Sequence, residues 1–338
     1  MTGTSTGLLT DQYELTMVDA ALRSGAANRR CVFEVFARSL PGRRRYAVVA
    51  GLGRLLEALP AFGFDPGALD FLSGRGVIDD ATRSWLADYR FSGTVEAYAE
   101  GEVYFPGSPV LTVEGGFAEC VVLETLVLSI LNHDSAVATA AARMTSAADG
   151  RPCIEMGSRR THEQAAIASA RAAYIGGFIA TSNLAAGRRW DIPTTGTAAH
   201  AFTLVHDSEL DAFRAQVEAL GKSTTLLVDT YDVEAGIRNA VEIAGPELGA
   251  IRLDSGDLPT QARDARRLAI RNVELLKDIV TAELPLIGLE PSAILGFRDE
   301  VPDLVPDSLI VPAQALAKNA LLFDEFIARE RDRGRIRR

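Results

Sequence analysis

The spacing of apolar side chains changes several times along the first part of the chain. Residues 8–25 place apolar side chains at mixed helical intervals, which predicts an N-terminal helix. Residues 31–38 alternate apolar and polar side chains like a half-buried strand. Residues 46–59 are typical of an apolar segment that passes into a helix, and residues 93–109 are strand-like and rich in turn residues. Together these elements predict a small α+β domain.

The pattern of apolar and polar residues is different in the second part of the chain. Residues 119–148 are mostly apolar and nearly free of glycine and proline, so we expect one long helix or two abutting helices there. Short apolar runs that end in small or polar residues then recur five times, with helix-like stretches between them. These runs are CIEMGS, GGFIATSN, IPTTGTAAH, TTLLVDT and GAIRLDSGD. Strand, loop and helix in repetition predict parallel βα units.

Polar side chains that follow the predicted strands are candidate site residues. In parallel sheets and barrels, the carboxyl ends of the strands line the active site. This rule selects Arg159, Arg160, Ser182, Asn183, Thr197, His200, Asp229, Asp254 and Asp257.

Composition and charge narrow the class of protein. With 338 residues, 47% of them hydrophobic and 24% charged, the chain is typical of a globular protein with one large α/β barrel or two domains. The net charge of −10 argues against a general nucleic-acid binder, because phosphate attraction requires a basic face. A few local arginines can still hold a small anionic substrate.

The three cysteines and the N-terminus bear on location. Cys31, Cys120 and Cys153 are dispersed without CxxC spacing, so neither a disulfide framework nor a cysteine-rich metal site is predicted, and a reducing cytoplasm fits best. Residues 1–15 lack a cationic leader followed by an apolar run, and no stretch approaches ~18 uninterrupted apolar residues. We therefore expect neither secretion nor a membrane span.

Among the candidates, His200 favours phosphate chemistry. It follows Gly196 and Thr197 at a predicted strand end, where an imidazole beside a tight turn suits phosphate contact or phosphoryl transfer to nitrogen. The alternative is a histidine that only satisfies a backbone hydrogen bond. The sequence has no GxxxxGK[ST] loop, no HExxH and no GxGxxG after a strand, which argues against P-loop NTPase, zincin and Rossmann interpretations.

Charged residues near the other strand ends suit a phosphorylated sugar. The guanidinium forks of Arg159 and Arg160 match carboxylates and phosphates, and the alternative for either arginine is an exposed ion pair. Asp254 and Asp257 flank a serine and a glycine, a layout that can bind a sugar diol and approach Mg²⁺. Helix capping is the alternative for one of them, and Asp257 is the better candidate for it.

Six blocks of sequence resemble the nicotinate phosphoribosyltransferase family over roughly residues 7–260. They are LLTDQYELTM (8–17), LNHDSAVATAAARM (131–144), EMGSRRTHEQAAIASARAAYIGGFIATSN (155–183), GTAAHAF (196–202), LLVDTYD (226–232) and IRLDSGDL (251–258). The resemblance implies an α/β protein with the type II phosphoribosyltransferase fold, in which an α+β N-terminal domain packs against an irregular α/β barrel, usually in a homodimer with shared sites. It also implies the reaction of nicotinate with 5-phosphoribosyl 1-diphosphate to nicotinate mononucleotide and diphosphate, coupled to ATP hydrolysis through a phosphorylated histidine.

The same resemblance assigns roles to residues of this chain. It makes His200 the phosphate acceptor, with Gly196 and Thr197 in its loop, and Tyr13 the aromatic that stacks on the pyridine ring. Arg159 matches an arginine near nicotinate and the sugar phosphate. Asp254 and Asp257 match carboxylates at the ribose and Mg²⁺. The predicted catalytic residues are His200, Asp254 and Asp257, and the predicted substrate-binding residues are Tyr13, Arg159, Arg160, Ser182, Asn183, Gly196, Thr197, Arg252 and Ser255. The expected cofactor is Mg²⁺, with ATP as co-substrate and no resident protein metal site.

After about residue 260 the family pattern stops, and the glycine-rich loops that bind the 5-phosphate are not recognisable. Residues 284–307 and 315–330 instead resemble the C-terminal part of FAD-linked oxidoreductases of the 2-hydroxyacid type, without their cysteines. The chain is therefore interpreted as a hybrid with an incomplete barrel, in which residues 284–290 could form a substitute edge strand. Weak binding of the phosphoribosyl donor is expected.

Three segments and three functions follow from this interpretation. The predicted segments are an α+β domain with bridging helices at 1–148, an incomplete α/β barrel at 149–262 and a divergent C-terminal segment at 263–338. The leading function is a cytoplasmic nicotinate phosphoribosyltransferase of NAD biosynthesis. The alternatives are a catalytically silent fold that binds nicotinate or an intact subunit, and a fragment of an FAD-linked oxidoreductase.

Overall fold

A computed structural model describes residues 6–288, 294, 297–298 and 301–335. Their backbone contacts divide the chain into two compact units, Met1–Thr195 and Gly196–Arg338. The three segments expected from sequence, with limits at residues 148 and 262, remain a prediction.

The first unit combines helices with short strands. Its helices are α1 Gln12–Ser24, α2 Leu52–Ala58, α3 Pro66–Gly74, α4 Asp80–Ala87, α5 Phe117–Val121, α6 Glu124–Ala148, α7 Glu163–Ile175 and α8 Leu184–Trp190. Its strands are β1 Arg30–Val35, β2 Ala47–Val48, β3 Thr94–Ala97, β4 Val103–Tyr104, β5 Leu111–Gly116, β6 Ile154–Glu155 and β7 Ala180–Thr181. The predicted N-terminal helix and first strand are present, and the strand-like region 93–109 contains β3 and β4.

Helix α1 is fixed to the start of α6 by a buried carboxylate. The Glu14 side chain accepts the backbone N–H of Asp11 at 3.2 Å and, from Thr125, the backbone N–H at 2.8 Å and the hydroxyl at 2.7 Å. Burial raises the pKa of Glu14, while the Thr125 hydrogen bonds oppose that rise. Because Glu14 has no exposed surface and its oxygens are occupied, it stabilises this junction instead of facing a ligand.

Strands β1, β5 and β3 form an antiparallel sheet in that order, with Arg30 opposite Gly116 and Thr94 opposite Glu114. Leu111 and Val113 of β5 point into the main core, where they meet apolar side chains of α1 to α6. The alternation predicted for residues 31–38 is found in β1, where Cys31, Phe33 and Val35 are half-buried and pack against the same core.

The predicted bridging segment consists of two abutting helices, α5 and α6. Helix α6 packs against α7 through small residues, and a Cβ atom placed on Gly176 would lie 2.6 Å from Ala141 Cβ and 2.7 Å from the Ala138 carbonyl oxygen. In the described part of the chain, Phe117–Ala148 alone is long and apolar enough to cross a membrane, but an 18-residue apolar stretch of it is 56% buried inside the structure. The core helix of a globular protein can have the same length and composition.

Strands β6 and β7 pair in parallel, as expected for successive βα units. The predicted third strand, in IPTTGTAAH, is reduced to one bridge between Thr181 and Thr194 in the described structure. Pro193 has no N–H to donate to a ladder, and its carbonyl is the acceptor for the Thr181 N–H at 3.0 Å. The strand prediction was wrong there for that reason.

The second unit carries two separate pairs of parallel strands. Its helices are α9 His200–Leu204, α10 Glu209–Leu220, α11 Val233–Ala244, α12 Leu258–Leu276, α13 Val301–Leu304, α14 Asp307–Lys318 and α15 Phe323–Asp332. Its strands are β8 Thr225–Leu227, β9 Ala250–Arg252, β10 Leu286–Gly288 and β11 Ala320–Leu322. Strand β8 pairs with β9, and β10 pairs with β11. Among the described residues the strands form no closed barrel, in agreement with the incomplete barrel expected from sequence.

The predicted substitute strand at 284–290 is present as β10, up to the limit of the described residues at 288. Its partner is β11, so in the described structure it does not extend the β8–β9 pair. Near the end of the described residues, arginine side chains gather around one acidic side chain. Glu330 is buried and accepts hydrogen bonds from Arg329, Arg333 and Arg335.

Candidate active site

Asp229 is the centre of the polar cluster at the carboxyl ends of β8 and β9. Its side chain is 2% exposed, and its Oδ1 lies 3.0 Å from His200 Nε2. Its Oδ2 accepts the backbone N–H of Asp254 and, from Ser255, the backbone N–H at 2.7 Å and the hydroxyl at 2.8 Å. One carboxylate therefore joins the histidine loop to the Asp254 loop.

The ionised state of this carboxylate determines which ring nitrogen of His200 faces it as a donor. Burial raises the pKa of Asp229, but the hydrogen bonds from Asp254, Ser255 and His200 outweigh it, so the net pKa is lowered. An ionised carboxylate can only accept, so His200 Nε2 carries the proton in this contact. In the neutral imidazole the Nδ1 lone pair is then free to act as a nucleophile, and the side chain is 36% exposed.

Arg252 joins two of the predicted motifs. Its Nη1 donates to Thr197 Oγ1 at 2.6 Å and to the Ala198 carbonyl at 3.3 Å, and its Nη2 donates to Asp254 Oδ2 at 2.8 Å. The fork of one guanidinium thus holds the GTAAH loop against the DSGD loop. Gly196 begins that loop, and a Cβ atom added to it would have no described atom within 4 Å.

Asp257 lies apart from this hydrogen-bonded cluster and caps α12. Its carboxylate accepts the Thr260 N–H at 3.2 Å and the Thr260 hydroxyl at 2.6 Å, and these bonds lower its pKa. This is the capping alternative raised for it, while a catalytic role for Asp257 stays a prediction. The described residues contain no group of three or more His, Cys, Asp or Glu side chains that could hold a metal ion.

In the first unit, the ends of β6 and β7 come together through Asn183. Its amide donates to Ser158 Oγ at 3.1 Å, and its carbonyl oxygen caps α8 by accepting the Ala186 N–H at 2.9 Å. Ser182 is tied by its backbone N–H to the Glu155 carbonyl at 2.8 Å. The structure thus places Ser182 and Asn183 beside the turn that bears the predicted arginines.

Arg159 and Arg160 lie in the 3-10 turn Ser158–Arg160 and are exposed. Neither guanidinium has a side-chain hydrogen bond or ion pair with another described residue. The alternative of an exposed ion pair therefore has no partner in this part of the structure, and both forks are available to an anion.

Tyr13 lines a cavity of about 470 Å³ in the same unit. Phe36, Tyr104, Asn132 and Ser135 are among the other side chains that line it. Tyr13 is 47% exposed as a residue, and partial desolvation of its hydroxyl, together with a hydrogen bond to Glu124, raises its pKa to about 12. The phenol is therefore neutral at physiological pH, and its ring is available for stacking.

Sequence reasoning selected Asp229 as a strand-end residue but assigned it no role. Its position after LLV was the available signal, because parallel strands bring their carboxyl ends to one edge. Tyr104 and Asn132 of the Tyr13 cavity gave no such signal, since they come from β4 and α6 and meet only in the folded unit.

Gly236 of α11 gives a test of how this cluster is supported. A Cβ atom at Gly236 would lie 2.3 Å from the carbonyl oxygen of Val228, the residue before Asp229. Gly236→Ala should therefore lower the free energy of unfolding by about 1–3 kcal/mol, although alanine is intrinsically the better helix former. Urea unfolding measures this.

Gly74→Ala is the matched control, because Gly74 ends α3 and has no described atom within 4 Å of its Cβ position. That variant should be neutral, or more stable by up to ~1 kcal/mol. Equal stability of the Gly236 variant and the wild type would show that α11 does not pack tightly against the Val228 backbone.

The fold is that of the type II phosphoribosyltransferases, as two superpositions on solved structures show. The crystal structure of human nicotinic acid phosphoribosyltransferase superposes with a TM-score of 0.68 at 25% identity, over 93% of this chain and 72% of that one. That of nicotinate-nucleotide pyrophosphorylase from Pyrococcus furiosus gives 0.64 at 26% identity, over 80% and 63%.

Sequence comparison points to one group within this class. Residues 8–132 match the family model described as the nicotinate phosphoribosyltransferase (NAPRTase) N-terminal domain. The chain is 66% identical over 268 residues to nicotinate phosphoribosyltransferase pncB1 of Mycobacterium tuberculosis H37Rv, over 77% of this chain and 59% of that protein. The resemblance to nicotinate phosphoribosyltransferases is confirmed, and the chain spans less than two thirds of the length of this curated relative.

The predicted hybrid with an FAD-linked oxidoreductase has no support in these comparisons. The superposition on the human enzyme covers 93% of the chain, which is more than residues 1–260 could supply. The likeness of fold thus continues past the point at which the sequence motifs stop, because a fold tolerates sequence change that a motif does not.

Proposed function

We propose that this chain has nicotinate phosphoribosyltransferase activity and serves NAD biosynthesis. The reaction would join nicotinate to 5-phosphoribosyl 1-diphosphate, giving nicotinate mononucleotide and diphosphate, with ATP hydrolysis coupled through His200. The observation that carries the proposal is the His200–Asp229 contact of 3.0 Å, held by the DSGD loop in a chain similar to enzymes of that name.

In the coupling step, His200 Nδ1 would attack the γ-phosphorus of ATP. The new N–P bond forms as the P–O bond to ADP breaks, and ADP leaves with the bonding electron pair. The imidazole becomes positively charged during the attack, and the ionised Asp229 carboxylate at Nε2 stabilises that charge. The phosphorylated histidine is afterwards hydrolysed, which returns the imidazole and releases inorganic phosphate.

In the glycosyl step, the ribose carbon would acquire oxocarbenium character as diphosphate leaves. Asp254 can stabilise positive charge at the sugar, since it is 40% exposed and one of its oxygens is held by Arg252. Mg²⁺ would neutralise the diphosphate leaving group. The described residues supply at most a carboxylate or two, which fits a magnesium ion bound mainly through substrate phosphates and water.

For nicotinate itself, we assign the ring to Tyr13 and the carboxylate to Arg159. The proposed substrate-binding set is completed by Arg160, Ser182, Asn183, Gly196, Thr197, Arg252 and Ser255. A homodimer and a cytoplasmic location are further parts of this proposal. They rest on the resemblance to the family.

Phosphohistidine formation tests the coupling. Incubation with γ-labelled ATP and Mg²⁺ should place acid-labile phosphate on the wild-type chain, and His200→Ala should abolish the label. The matched control is His206→Ala, because the Nδ1 atom of His206 lies 2.7 Å from the Phe202 carbonyl oxygen and this local hydrogen bond accounts for the histidine. Label retained in His200→Ala would reassign the acceptor.

Arg159 gives an independent test on the nicotinate side. Arg159→Lys keeps the charge but loses the fork, so nicotinate affinity should fall roughly ten- to a hundredfold, or about 1.5–3 kcal/mol. Calorimetric titration with nicotinate measures it, and Arg188→Lys, at another exposed arginine, is the control. Affinity that does not change would remove Arg159 from the site.

The alternative is a fold that binds nicotinate without turnover. It is favoured by the absence of recognisable 5-phosphate loops after residue 260 in the sequence. Donor binding in the millimolar range, with an intact cooperative melt and no mononucleotide, would support this alternative. Micromolar donor binding with steady mononucleotide production would support the enzyme.

A further inference from the structure

A group of arginines in the first unit takes no part in the chemistry above. Arg43, Arg44 and Arg45 follow one another in the loop between β1 and β2, and Arg143 of α6 faces the same space. Residues 41–46 and Arg143 line a cavity of about 630 Å³ that is wide open to solvent. No described Asp or Glu side chain lines it.

The charge of this cavity is uncompensated within the described structure. None of the four guanidinium groups forms an ion pair with a described carboxylate, although the whole chain has 45 acidic and only 35 basic residues. Four clustered cations in such a chain repel one another and are stabilised by an external anion. The uncompensated positive charge of this loop therefore favours the binding of an anion.

Arg143, one of the four arginines, is held in place by hydrogen bonds within the protein. Arg143 Nη1 donates to the Thr139 carbonyl at 3.0 Å, Nη2 donates to the Tyr46 carbonyl at 2.9 Å, and the guanidinium lies 4.8 Å from the Tyr46 ring centre. A guanidinium has five N–H donors, so three of those on Arg143 remain for another acceptor. The loop itself turns at Gly42, where φ is +59°.

From these features we infer that residues 43–45 and Arg143 bind a small polyphosphate, a ligand with two or more linked phosphate groups. A single phosphate has too few oxygens to engage four forks, whereas a di- or triphosphate matches both their number and their charge. A nucleic acid would need an extended basic face, which a chain of net charge −10 does not favour. This site shares no residue with those assigned to the proposed reaction.

Inorganic triphosphate is the probe, with the full chain titrated by calorimetry at low salt. We expect Arg43→Ala/Arg44→Ala/Arg45→Ala to weaken binding at least tenfold, and orthophosphate to bind the wild type more weakly than triphosphate. The control triple variant, Arg188→Ala/Arg266→Ala/Arg271→Ala, removes the same charge from exposed positions elsewhere and should bind like the wild type.

A local measurement excludes binding at another place. Triphosphate should protect Arg43, Arg44, Arg45 and Arg143 from an arginine-specific dicarbonyl reagent, as mapped by peptide mass spectrometry, while Arg188 stays reactive. Arg43→Lys/Arg44→Lys/Arg45→Lys keeps the charge and should bind with intermediate affinity. If neither alanine triple variant changes binding, or both weaken it equally, the inference is wrong. A short single-stranded oligonucleotide that binds as tightly as triphosphate would also overturn it.

Discussion

Replacing Asp229 with asparagine should slow phosphorylation of His200 on the order of a hundred- to ten-thousandfold. Oδ2 of Asp229 accepts from three donors, so the asparagine oxygen must occupy that position. The amide NH₂ then faces His200 Nε2 and can only donate to it. The imidazole proton is thereby forced onto Nδ1, and the lone pair that attacks ATP is lost.

Rapid-quench measurement of acid-labile phosphate gives this rate directly. Asp232→Asn is the matched control, because Asp232 caps α11 by accepting the Ala235 N–H at 2.8 Å and asparagine caps helices equally well. An Asp229→Asn variant that melts like the wild type and phosphorylates at the same rate would show that Asp229 only shapes the loop.

The second large effect concerns Glu100 and Arg171 in the first unit. The two side chains form two bonds of 2.7 Å, and they are only 18% and 15% exposed. Glu100 also accepts the Gly51 N–H at 2.7 Å. Glu100→Gln leaves a poorly solvated guanidinium with a neutral partner, so the free energy of unfolding should fall by about 2–4 kcal/mol.

The effect of this variant should depend on pH. Burial raises the pKa of Glu100, but the hydrogen bonds and charge of Arg171 and the N–H groups of Gly51 and Gly53 outweigh it, so the pKa is lowered from its ordinary 4.5. A carboxyl group with a lowered folded pKa stabilises the fold above its unfolded pKa, and that contribution is lost as pH falls through the folded value. The difference between wild type and variant should therefore shrink below about pH 4.5.

Urea unfolding between pH 3 and pH 7, on the order of one series per unit of pH, measures both effects. Glu114→Gln serves as control, since Glu114 pairs with Arg30 at the surface and should cost at most ~1 kcal/mol. A Glu100 variant as stable as this control would mean that water solvates Arg171 as well as the carboxylate does.

The candidate site was predictable where it depends on the direction of strands. Strands β8 and β9 are parallel neighbours, so Asp229 and Asp254 had to emerge at one edge, and the alternation of apolar runs with polar ends was enough to select them. The same pattern failed in the IPTTG segment, because Pro193 limits the ladder to one bridge and a sequence pattern does not count backbone donors.

Pairings between loops were beyond sequence reasoning. Nothing in the spacing shows that Arg252 reaches forward to Asp254 and back to Thr197, a separation of 55 residues. Nor does spacing decide between a ligand and a cap, as Asp257 and Asn183 illustrate: both carboxylate and amide oxygens suit either role, and only the position of the following helix N–H groups distinguishes them.

The close contact of α6 with α7 has a consequence for how this unit tolerates mutation. The contact is made by three small residues, Ala138, Ala141 and Gly176. Their side chains have few atoms to lose, and the tight packing leaves no space for larger ones. Random substitution at these positions should therefore be selected against by size, with serine accepted more often than valine or leucine, whereas the leucines of the main core should fail by truncation. A deep mutational scan of this unit would show two kinds of intolerant position. The positions of the α6–α7 contact would be recognised because they do not tolerate larger side chains.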